Sequence, residues 1–209
     1  DYSIEQMKVA GISKVYIVVG YRKEAVIDYI GNGKRYGIDI AYVYQEERRG
    51  NADAVLCVEP FVDSTFCVVF GDDYLEPKTA LKTLIDFHLS HEGDGAIGVI
   101  PTEDARTTSV VKTDQNNRIL DIVEKPDTAK FWTNLGSNGT HVFEPIVFDY
   151  IRKTPPGLGN EIYLSDTVKT MVKDGRTVYA VINADFHLDI GVKERYLEVN
   201  ARIYKNSPR

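Results

Sequence analysis

The chain has few of the residues and segments that mark membrane, disulfide-rich or metal-binding proteins. Its 209 residues include two cysteines, two methionines and one tryptophan, and no apolar run approaches the roughly 20 residues that span a bilayer. Cys57 and Cys67 have no Cys-x-x-Cys spacing and lie among apolar residues, which indicates buried thiols in a reducing compartment. We therefore expect a cytoplasmic protein with no membrane partner.

Positive charge is also scarce. The chain has 25 Lys and Arg residues against 31 Asp and Glu residues, a formal net charge of −6. This balance argues against nucleic acid as a partner, although a local basic cleft for a phosphate-bearing small molecule is still allowed. The four histidines, at positions 88, 91, 141 and 187, show no metal-ligand spacing, and we assign them structural or surface positions.

What the chain does contain is a regular alternation of helix-like and strand-like segments. The patterns predict a helix at 3–10, a strand at 15–19, a helix at 23–30 and a strand at 38–44, and the alternation continues to a strand at 96–100. This rhythm is typical of βαβ units and predicts an α/β fold with a Rossmann-like, doubly wound mixed sheet. We expect residues 1–209 to form a single domain.

One stretch organises the functional interpretation, because an apolar run at 67–70 ends in Gly71-Asp72-Asp73. It is typical of a buried strand whose carboxyl end presents acid to a crevice, where open α/β sheets bind ligands. Asp72 could hold Mg²⁺, and Gly71 could let a substrate approach the backbone, but an ordinary turn explains the same residues equally well. Asp189, between Leu188 and Ile190-Gly191, could share the metal with Asp72.

From residue 109 onward the pattern changes to a β-hairpin, with two strand-like runs around an Asp-Gln-Asn-Asn turn at 114–117. Glu124 and Lys125 follow the hairpin, where they could contact sugar hydroxyls and a phosphate. From these residues alone, a charged surface edge that blocks aggregation is the favoured interpretation. Similarly, Gln45 and Gly50 could contact a nucleobase, although a loop rich in Gln, Glu and Arg is more often only solvated.

Taken in order, the motifs resemble those of the sugar-1-phosphate nucleotidylyltransferases over almost the whole chain. The matching segments are 15–20, Gln45 with 50–54, 70–73, 122–126, 138–143, 160–166 and 187–191. The resemblance implies a nucleotide-diphospho-sugar transferase type of fold, in which residues 1–106 bind the nucleotide and residues 107–209 bind the sugar phosphate. Each segment is weakly diagnostic alone, whereas the ordered set is specific.

The resemblance also implies a reaction and a set of site residues. A sugar 1-phosphate would attack the α-phosphorus of a nucleoside triphosphate and release pyrophosphate with the help of Mg²⁺. The expected substrates are glucose 1-phosphate and either dTTP or UTP. The implied residues are Asp72 and Lys125 for catalysis, Asp72 and Asp189 for the metal, Gln45, Gly50 and Gly71 for the nucleotide, and Glu124, Gly139 and Ser109 for the sugar. The resemblance allows a homo-oligomer.

Two departures from the family pattern keep alternatives open. The family's first strand and glycine-rich loop should precede the helix at Ser3 and are missing, so we expect these 209 residues to be inactive by themselves. Ser109 stands where the family usually has glycine beside the sugar, which affects the identity of the sugar. The alternatives are a non-catalytic nucleotide-sugar-binding or regulatory homologue and a cytidylyltransferase for a non-sugar phosphate; a glycosyltransferase fits the Glu-Lys-Pro element less well.

Overall fold

A computed structural model describes residues 1–102, 105–127 and 133–206. Within these ranges the helices are α1 (Tyr2–Val9), α2 (Lys23–Ile30), α3 (Asn51–Leu56), α4 (Ala80–Leu89), α5 (Val147–Lys153), α6 (Leu164–Lys173) and α7 (Lys193–Asn206). The strands are β1 (Lys14–Val19), β2 (Asp39–Tyr44), β3 (Phe66–Val69), β4 (Asp73–Glu76), β5 (Gly95–Pro101), β6 (Val110–Thr113), β7 (Ile119–Val123), β8 (Leu135–Phe143), β9 (Val178–Ile182) and β10 (Phe186–Asp189). The predicted α/β class is confirmed.

The central sheet is built around β8, the longest strand described. Its order is β7-β6-β8-β5-β9, and β3 pairs with the second half of β8 on the same side as β6. β5 runs parallel to β9 and antiparallel to β8, so the sheet is mixed, as predicted. The prediction that the strand at 67–70 is buried was wrong. β3 is half-buried, because in the described part of the chain it pairs with β8 on one side and with no strand on the other.

Two further ladders lie outside the central sheet. β1 and β2 pair in parallel over six residues, and β4 and β10 pair antiparallel over four. The sequence interpretation did not include β4 or β10, since strands this short have no recognisable alternation. The hairpin of β6 and β7 is confirmed: Asp114 accepts hydrogen bonds from the backbone N–H groups of Asn116 and Arg118 and thereby closes the turn.

The main core lies between the central sheet and helices α5 and α6. Leu164, Val168 and Met171 recur on one face of α6 at a helical period and are at most 1% exposed, which explains why this helix packs on the sheet. A helix was predicted from Glu161, but α6 begins at Leu164, because the preceding residues form backbone hydrogen bonds with the loop before α3.

The structure bears on two further expectations. In the described ranges no helix is long and apolar enough to cross a membrane. Cys57 and Cys67 are free thiols that are partly buried, and burial raises the pKa of the Cys67 thiol to about 11. Both thiols are thus free and partly buried, whereas the sequence indicated buried thiols, and burial favours their protonated form.

Candidate active site

A cavity of about 350 Å³ opens where β4 and β10, the end of β7, the middle of β8 and the start of α6 meet. Six of the nine predicted site residues line it: Asp72, Ser109, Glu124, Lys125, Gly139 and Asp189. The other three, Gln45, Gly50 and Gly71, are not part of its lining. Residues more than 100 positions apart in sequence therefore share one polar cavity.

The β4–β10 ladder brings the two predicted metal ligands to this cavity. Asp189, the last residue of β10, lies opposite Asp73, and the Ile190 N–H donates to the Asp72 carbonyl at 2.8 Å. His187 precedes Asp189 by two residues and so shares its face of the strand. We call Asp72, Asp73, His187 and Asp189 the acidic ladder.

The outer two carboxylates of the acidic ladder are available to a ligand. Asp72 is exposed, and its side chain has no hydrogen bond or ion pair with the described residues. Asp189 accepts a hydrogen bond from the Gly191 N–H at 2.7 Å, and its other oxygen is 3.7 Å from Arg195 Nη1. These are hard oxygen donors, the type that Mg²⁺ prefers.

The donor set fits Mg²⁺ in one particular way. No group of three or more His, Cys, Asp or Glu side chains in the described ranges could enclose a metal ion. Mg²⁺ is commonly held by one or two carboxylates and completes its octahedron with water and substrate phosphates. Asp72 and the partly exposed Asp189 match that requirement with two carboxylates, whereas a closed protein cage would need more ligands.

Asp73 is the buried member of the acidic ladder and is not free. Its side chain is 8% exposed, and its Oδ1 lies 2.6 Å from His187 Nε2. Burial raises the pKa of the Asp73 carboxyl, an effect that the hydrogen bond and charge of His187 oppose. The pair fixes β4 against β10 and thereby sets where Asp72 and Asp189 lie.

Gly139 provides the space for this buried pair. A Cβ atom at this position would lie 1.7 Å from Asp73 Oδ2, and the backbone φ of +78° is one that glycine adopts without strain. The resemblance assigns Gly139 to the sugar pocket. The structure places it on the cavity floor, packed against Asp73.

The opposite side of the cavity carries a carboxylate in a different environment. Glu124 is 12% exposed, and its Oε2 accepts hydrogen bonds from Ser109 Oγ at 2.5 Å and Ser165 Oγ at 2.7 Å. Lys125 Nζ lies 3.9 Å from Glu124 Oε1 and is about half exposed. We call Ser109, Glu124, Lys125 and Ser165 the serine wall.

The backbone of Lys125 is in an unusual conformation. Its φ is +37°, in the left-handed region that residues other than glycine adopt infrequently, and its N–H donates to the Thr108 carbonyl at 3.2 Å. Such conformations are often found at functional sites, where surrounding contacts hold them in place. Here the conformation turns the chain out of β7 so that Glu124 and Lys125 both reach the cavity.

His141 also reaches the cavity, which the sequence interpretation did not foresee. Its ring packs between Phe70 and Phe143, with centroid separations of 5.4 and 5.7 Å, and its Nδ1 is buried with no hydrogen-bond partner among the described residues. Burial lowers the pKa of His141 to about 4, so the ring is neutral at pH 7. His187 and Ser165 were missed as well, although His141, Ser165 and His187 all lay in segments that carried the family resemblance.

Gln45 belongs to a separate polar cluster outside the cavity lining. Its Nε2 donates to Asp53 Oδ2 at 2.7 Å and to the Gly50 carbonyl at 3.2 Å. Asp53 is 4% exposed and also accepts hydrogen bonds from Arg49. Gln45 is therefore held in place by its two N–H donors, and its amide oxygen is the group left for other contacts.

Gly50 permits a close contact between two loops. Its φ is +107°, and a Cβ atom there would lie 2.3 Å from the Ile162 carbonyl oxygen. The Ala52 N–H donates to that carbonyl at 3.0 Å, and the Ile162 N–H donates to the Arg49 carbonyl at 2.7 Å. Glycine is thus required at position 50 for the loop before α3 to pair with the loop before α6.

An α/β domain with free carboxylates at one side of a cavity and a lysine at the other is an arrangement suited to enzymes that act on phosphate-bearing substrates. The chain belongs to the nucleotidyl transferase family, whose model matches residues 1–206. This confirms the resemblance that the sequence motifs indicated.

Similar proteins of known name were found in two organisms. The chain is 28% identical to the low-salt glycan biosynthesis nucleotidyltransferase Agl11 of Haloferax volcanii over 99% of this chain, and spans 57% of that protein's length. It is 27% identical to the UTP--glucose-1-phosphate uridylyltransferase AglF of the same organism, with coverage of 99% and 84%. The UTP--glucose-1-phosphate uridylyltransferase of Staphylococcus epidermidis is 29% identical, with coverage of 100% and 82%.

Solved structures support the fold. UDP-glucose pyrophosphorylase complexed with UDP-glucose superimposes with a TM-score of 0.88 at 24% identity, and covers 99% of this chain and 86% of that one. The apo form of a UDP-glucose pyrophosphorylase gives 0.83 at 22% identity, with coverage of 98% and 85%. The Rossmann-like type of fold is therefore confirmed.

Proposed function

We propose that this protein transfers a nucleotidyl group from UTP or dTTP to a sugar 1-phosphate, with glucose 1-phosphate the preferred acceptor, and forms the nucleotide sugar and pyrophosphate. Family membership and the names of its relatives support a nucleotidyl transfer. The observation that carries the proposal is the cavity itself, in which Asp72 and Asp189 lie across from Glu124 and Lys125.

In this reaction a phosphate oxygen of the sugar 1-phosphate forms a bond to the α-phosphorus as the bond from that phosphorus to the β-phosphate oxygen breaks. The electron pair of the broken bond leaves with pyrophosphate. Lys125 neutralises the charge of the sugar phosphate, and Glu124 accepts a hydrogen bond from a sugar hydroxyl. The protein thus contributes positioning and charge neutralisation, and no covalent enzyme intermediate is needed.

Asp72 and Asp189 would hold Mg²⁺, whose charge, when it is bound, stabilises the phosphate oxygens on which negative charge develops. Both residues line the cavity, Asp189 with an ion pair to Arg195 and Asp72 without a partner among the described residues. On the nucleotide side we assign the base contacts to Gln45 and Gly50, and a close approach of the nucleotide to the backbone at Gly71. Gln45 would use its amide oxygen, because its N–H donors point to Asp53 and Gly50.

A pyrophosphate-release assay of the full-length gene product with Mg²⁺ tests the proposal. Four nucleoside triphosphates are each combined with glucose 1-phosphate and with several other sugar 1-phosphates. We expect release with UTP or dTTP in the presence of glucose 1-phosphate, and none when either substrate is omitted. Absence of release with every combination would count against nucleotidyl transfer and favour a binding protein.

Two related expectations stay predictions. Cytoplasmic location is supported by the two free thiols. A homo-oligomeric assembly rests on the family resemblance.

A further inference from the structure

We propose that Ser109 and Ser165 are positioning residues for the sugar substrate, which hold Glu124 so that one carboxylate oxygen, Oε1, is presented to a sugar hydroxyl. This inference rests on the proposed function, because it concerns how the same cavity recognises its acceptor. It assigns a purpose to Ser109, the residue at which the chain departs from the family pattern.

The first step is the geometry of the two hydrogen bonds. Ser109 immediately precedes β6 and Ser165 is the second residue of α6, so the two hydroxyls approach Glu124 from different elements. Both donate to the same oxygen, Oε2, at 2.5 and 2.7 Å. These are distances expected of charge-assisted hydrogen bonds from a hydroxyl to a carboxylate.

The second step concerns the other carboxylate oxygen of Glu124, Oε1. A carboxylate oxygen has two lone-pair sites, and the two serine hydroxyls fill both on Oε2. Oε1 forms an ion pair with Lys125 Nζ at 3.9 Å, a separation longer than a hydrogen bond. Glu124 therefore offers the cavity a single acceptor atom in a fixed orientation, and no described residue donates a hydrogen bond to that atom.

The third step is why this arrangement indicates recognition. Holding a largely buried carboxylate by neutral hydroxyls at one oxygen, and by an ion pair as long as 3.9 Å at the other, gives up part of the attraction that a hydrogen-bonded cation would provide. The arrangement is well suited to a ligand that brings its own hydrogen-bond donor, and a sugar ring with hydroxyl groups does so. Lys125, the next residue, lies where the phosphate of the same ligand would be neutralised.

The two serines should act together, since either hydroxyl alone still fixes Oε2. We expect S109A and S165A each to raise the KM for glucose 1-phosphate by about threefold to tenfold, a usual range for losing one of two hydrogen bonds to a charged group. The double variant should raise it by more than the product of the two single effects. The KM for the nucleoside triphosphate and kcat should each change by less than about twofold, because Glu124 does not touch the reacting phosphorus.

Steady-state kinetics of the full-length protein with both substrates varied provide the test. Ser165→Thr retains the hydroxyl and should restore a near-normal KM for glucose 1-phosphate, and Ser64→Ala serves as a matched control at an exposed serine. Thermal unfolding of each variant shows whether a change reflects loss of folding. Equal rises in both KM values, strictly multiplicative single effects, or no rescue by Ser165→Thr would overturn the proposal.

Direct binding separates this inference from the proposed function. Calorimetric titration of glucose 1-phosphate into the wild type and the S109A/S165A variant needs no turnover. If the wild type binds the sugar phosphate more tightly than the variant but releases no pyrophosphate, the positioning role stands and nucleotidyl transfer fails. If the protein releases pyrophosphate and both forms bind equally, the positioning role alone fails. Absence of binding to the wild type overturns the positioning role.

Discussion

The acidic ladder and the serine wall both present carboxylates to one cavity, but the two regions differ in how far these carboxylates are exposed and hydrogen-bonded. Asp72 is exposed and has no partner among the described residues, and Asp189 is about half exposed. Glu124 is largely buried, and two hydroxyls fix one of its oxygens. The same functional group is thus more exposed on one side and held by two hydroxyls in one orientation on the other.

The difference follows from what each side would bind. A metal ion attracts unpaired carboxylates and can draw them into place, so little preorganisation is needed before it binds. A neutral hydroxyl contributes one weak hydrogen bond, and its recognition depends on an acceptor that is already oriented. Burial and hydrogen bonding around a carboxylate therefore distinguish a candidate metal ligand from a candidate sugar contact, although the sequence shows only Asp or Glu.

The largest expected effect comes from removing charge on the exposed side. Asp72→Asn should lower kcat by about 100- to 1,000-fold, the size of effect seen when one transition-state electrostatic contact is lost. Its melting temperature should be nearly unchanged, because the Asp72 side chain contacts nothing that its loss would leave unpaired. Pyrophosphate release as a function of Mg²⁺ concentration measures the effect.

Asp63→Asn is a matched control, since Asp63 is exposed and far from the cavity lining. It should keep wild-type activity. If Asp72→Asn kept the wild-type kcat, this carboxylate would not be part of the site. The contrast between the two regions would then have no functional meaning.

The next effect concerns Gly139, which packs against Asp73 of the acidic ladder. Gly139→Ala introduces a Cβ that would collide with Asp73 Oδ2 at 1.7 Å and forces a non-glycine residue into a φ of +78°. We expect a loss of about 3 kcal/mol in the free energy of unfolding, the sum of backbone strain and a displaced buried carboxylate. Urea denaturation measures it, with Gly175→Ala as a control for positive φ without a steric contact. Equal losses in the two variants would contradict the packing role.

The third effect is pH-dependent and tests His141, whose ring lines the cavity that both regions share. His141 has a pKa near 4 when folded and near 6.5 when unfolded, so between these values the unfolded chain binds the additional proton. Stability should therefore be complete above pH 6.5 and fall as the pH drops towards 4, by up to about 3 kcal/mol from this residue. His141→Phe keeps the aromatic packing and should reduce the dependence of stability on pH over this acid range.

Urea denaturation at pH 7 and pH 5 provides the measurement for both proteins. His91→Gln controls for loss of a histidine elsewhere, since His91 is exposed on the surface. An identical pH dependence in wild type and His141→Phe would show that the buried ring does not control acid stability.

The smallest effect concerns His187 in the acidic ladder. His187→Ala leaves the buried Asp73 carboxylate without its 2.6 Å partner and should reduce the free energy of unfolding by about 2 kcal/mol. His187→Gln keeps a donor and should lose less than half as much. Thermal and urea unfolding of the two variants are the measurements; equal losses would show that the ring's volume, and not its hydrogen bond, supports the ladder.

The sequence predicted those parts of the fold that short-range chemistry controls. The hairpin of β6 and β7 was recognised because Asp114 and the asparagines after it form the turn locally. The sequence also indicated that Asp72 and Asp189 could meet, but not how. The β4–β10 ladder depends on pairing between residues more than 100 positions apart, and four-residue strands carry no pattern that reveals it.

Other features of the site depend on contacts that no local pattern encodes. Ser109 was expected to reduce the room for the sugar, whereas the structure shows its hydroxyl bonded to Glu124. His141 was assigned a structural or surface position, and its ring is indeed buried between aromatic side chains, but that it also lines the cavity was not foreseen. In each case the residue type was visible in the sequence, but the direction of its side chain was set by tertiary packing.

The pairing of the loop before α3 with the loop before α6 has a mechanical consequence. Three hydrogen bonds join these segments: Ala52 N–H to the Ile162 carbonyl, Ile162 N–H to the Arg49 carbonyl, and Leu164 N–H to Asn51 Oδ1. Gly50 allows them to approach this closely. These hydrogen bonds couple the segment that Gln45 contacts at Gly50 to the first turn of α6, which carries Ser165, so we expect a shift of the first loop to displace that turn.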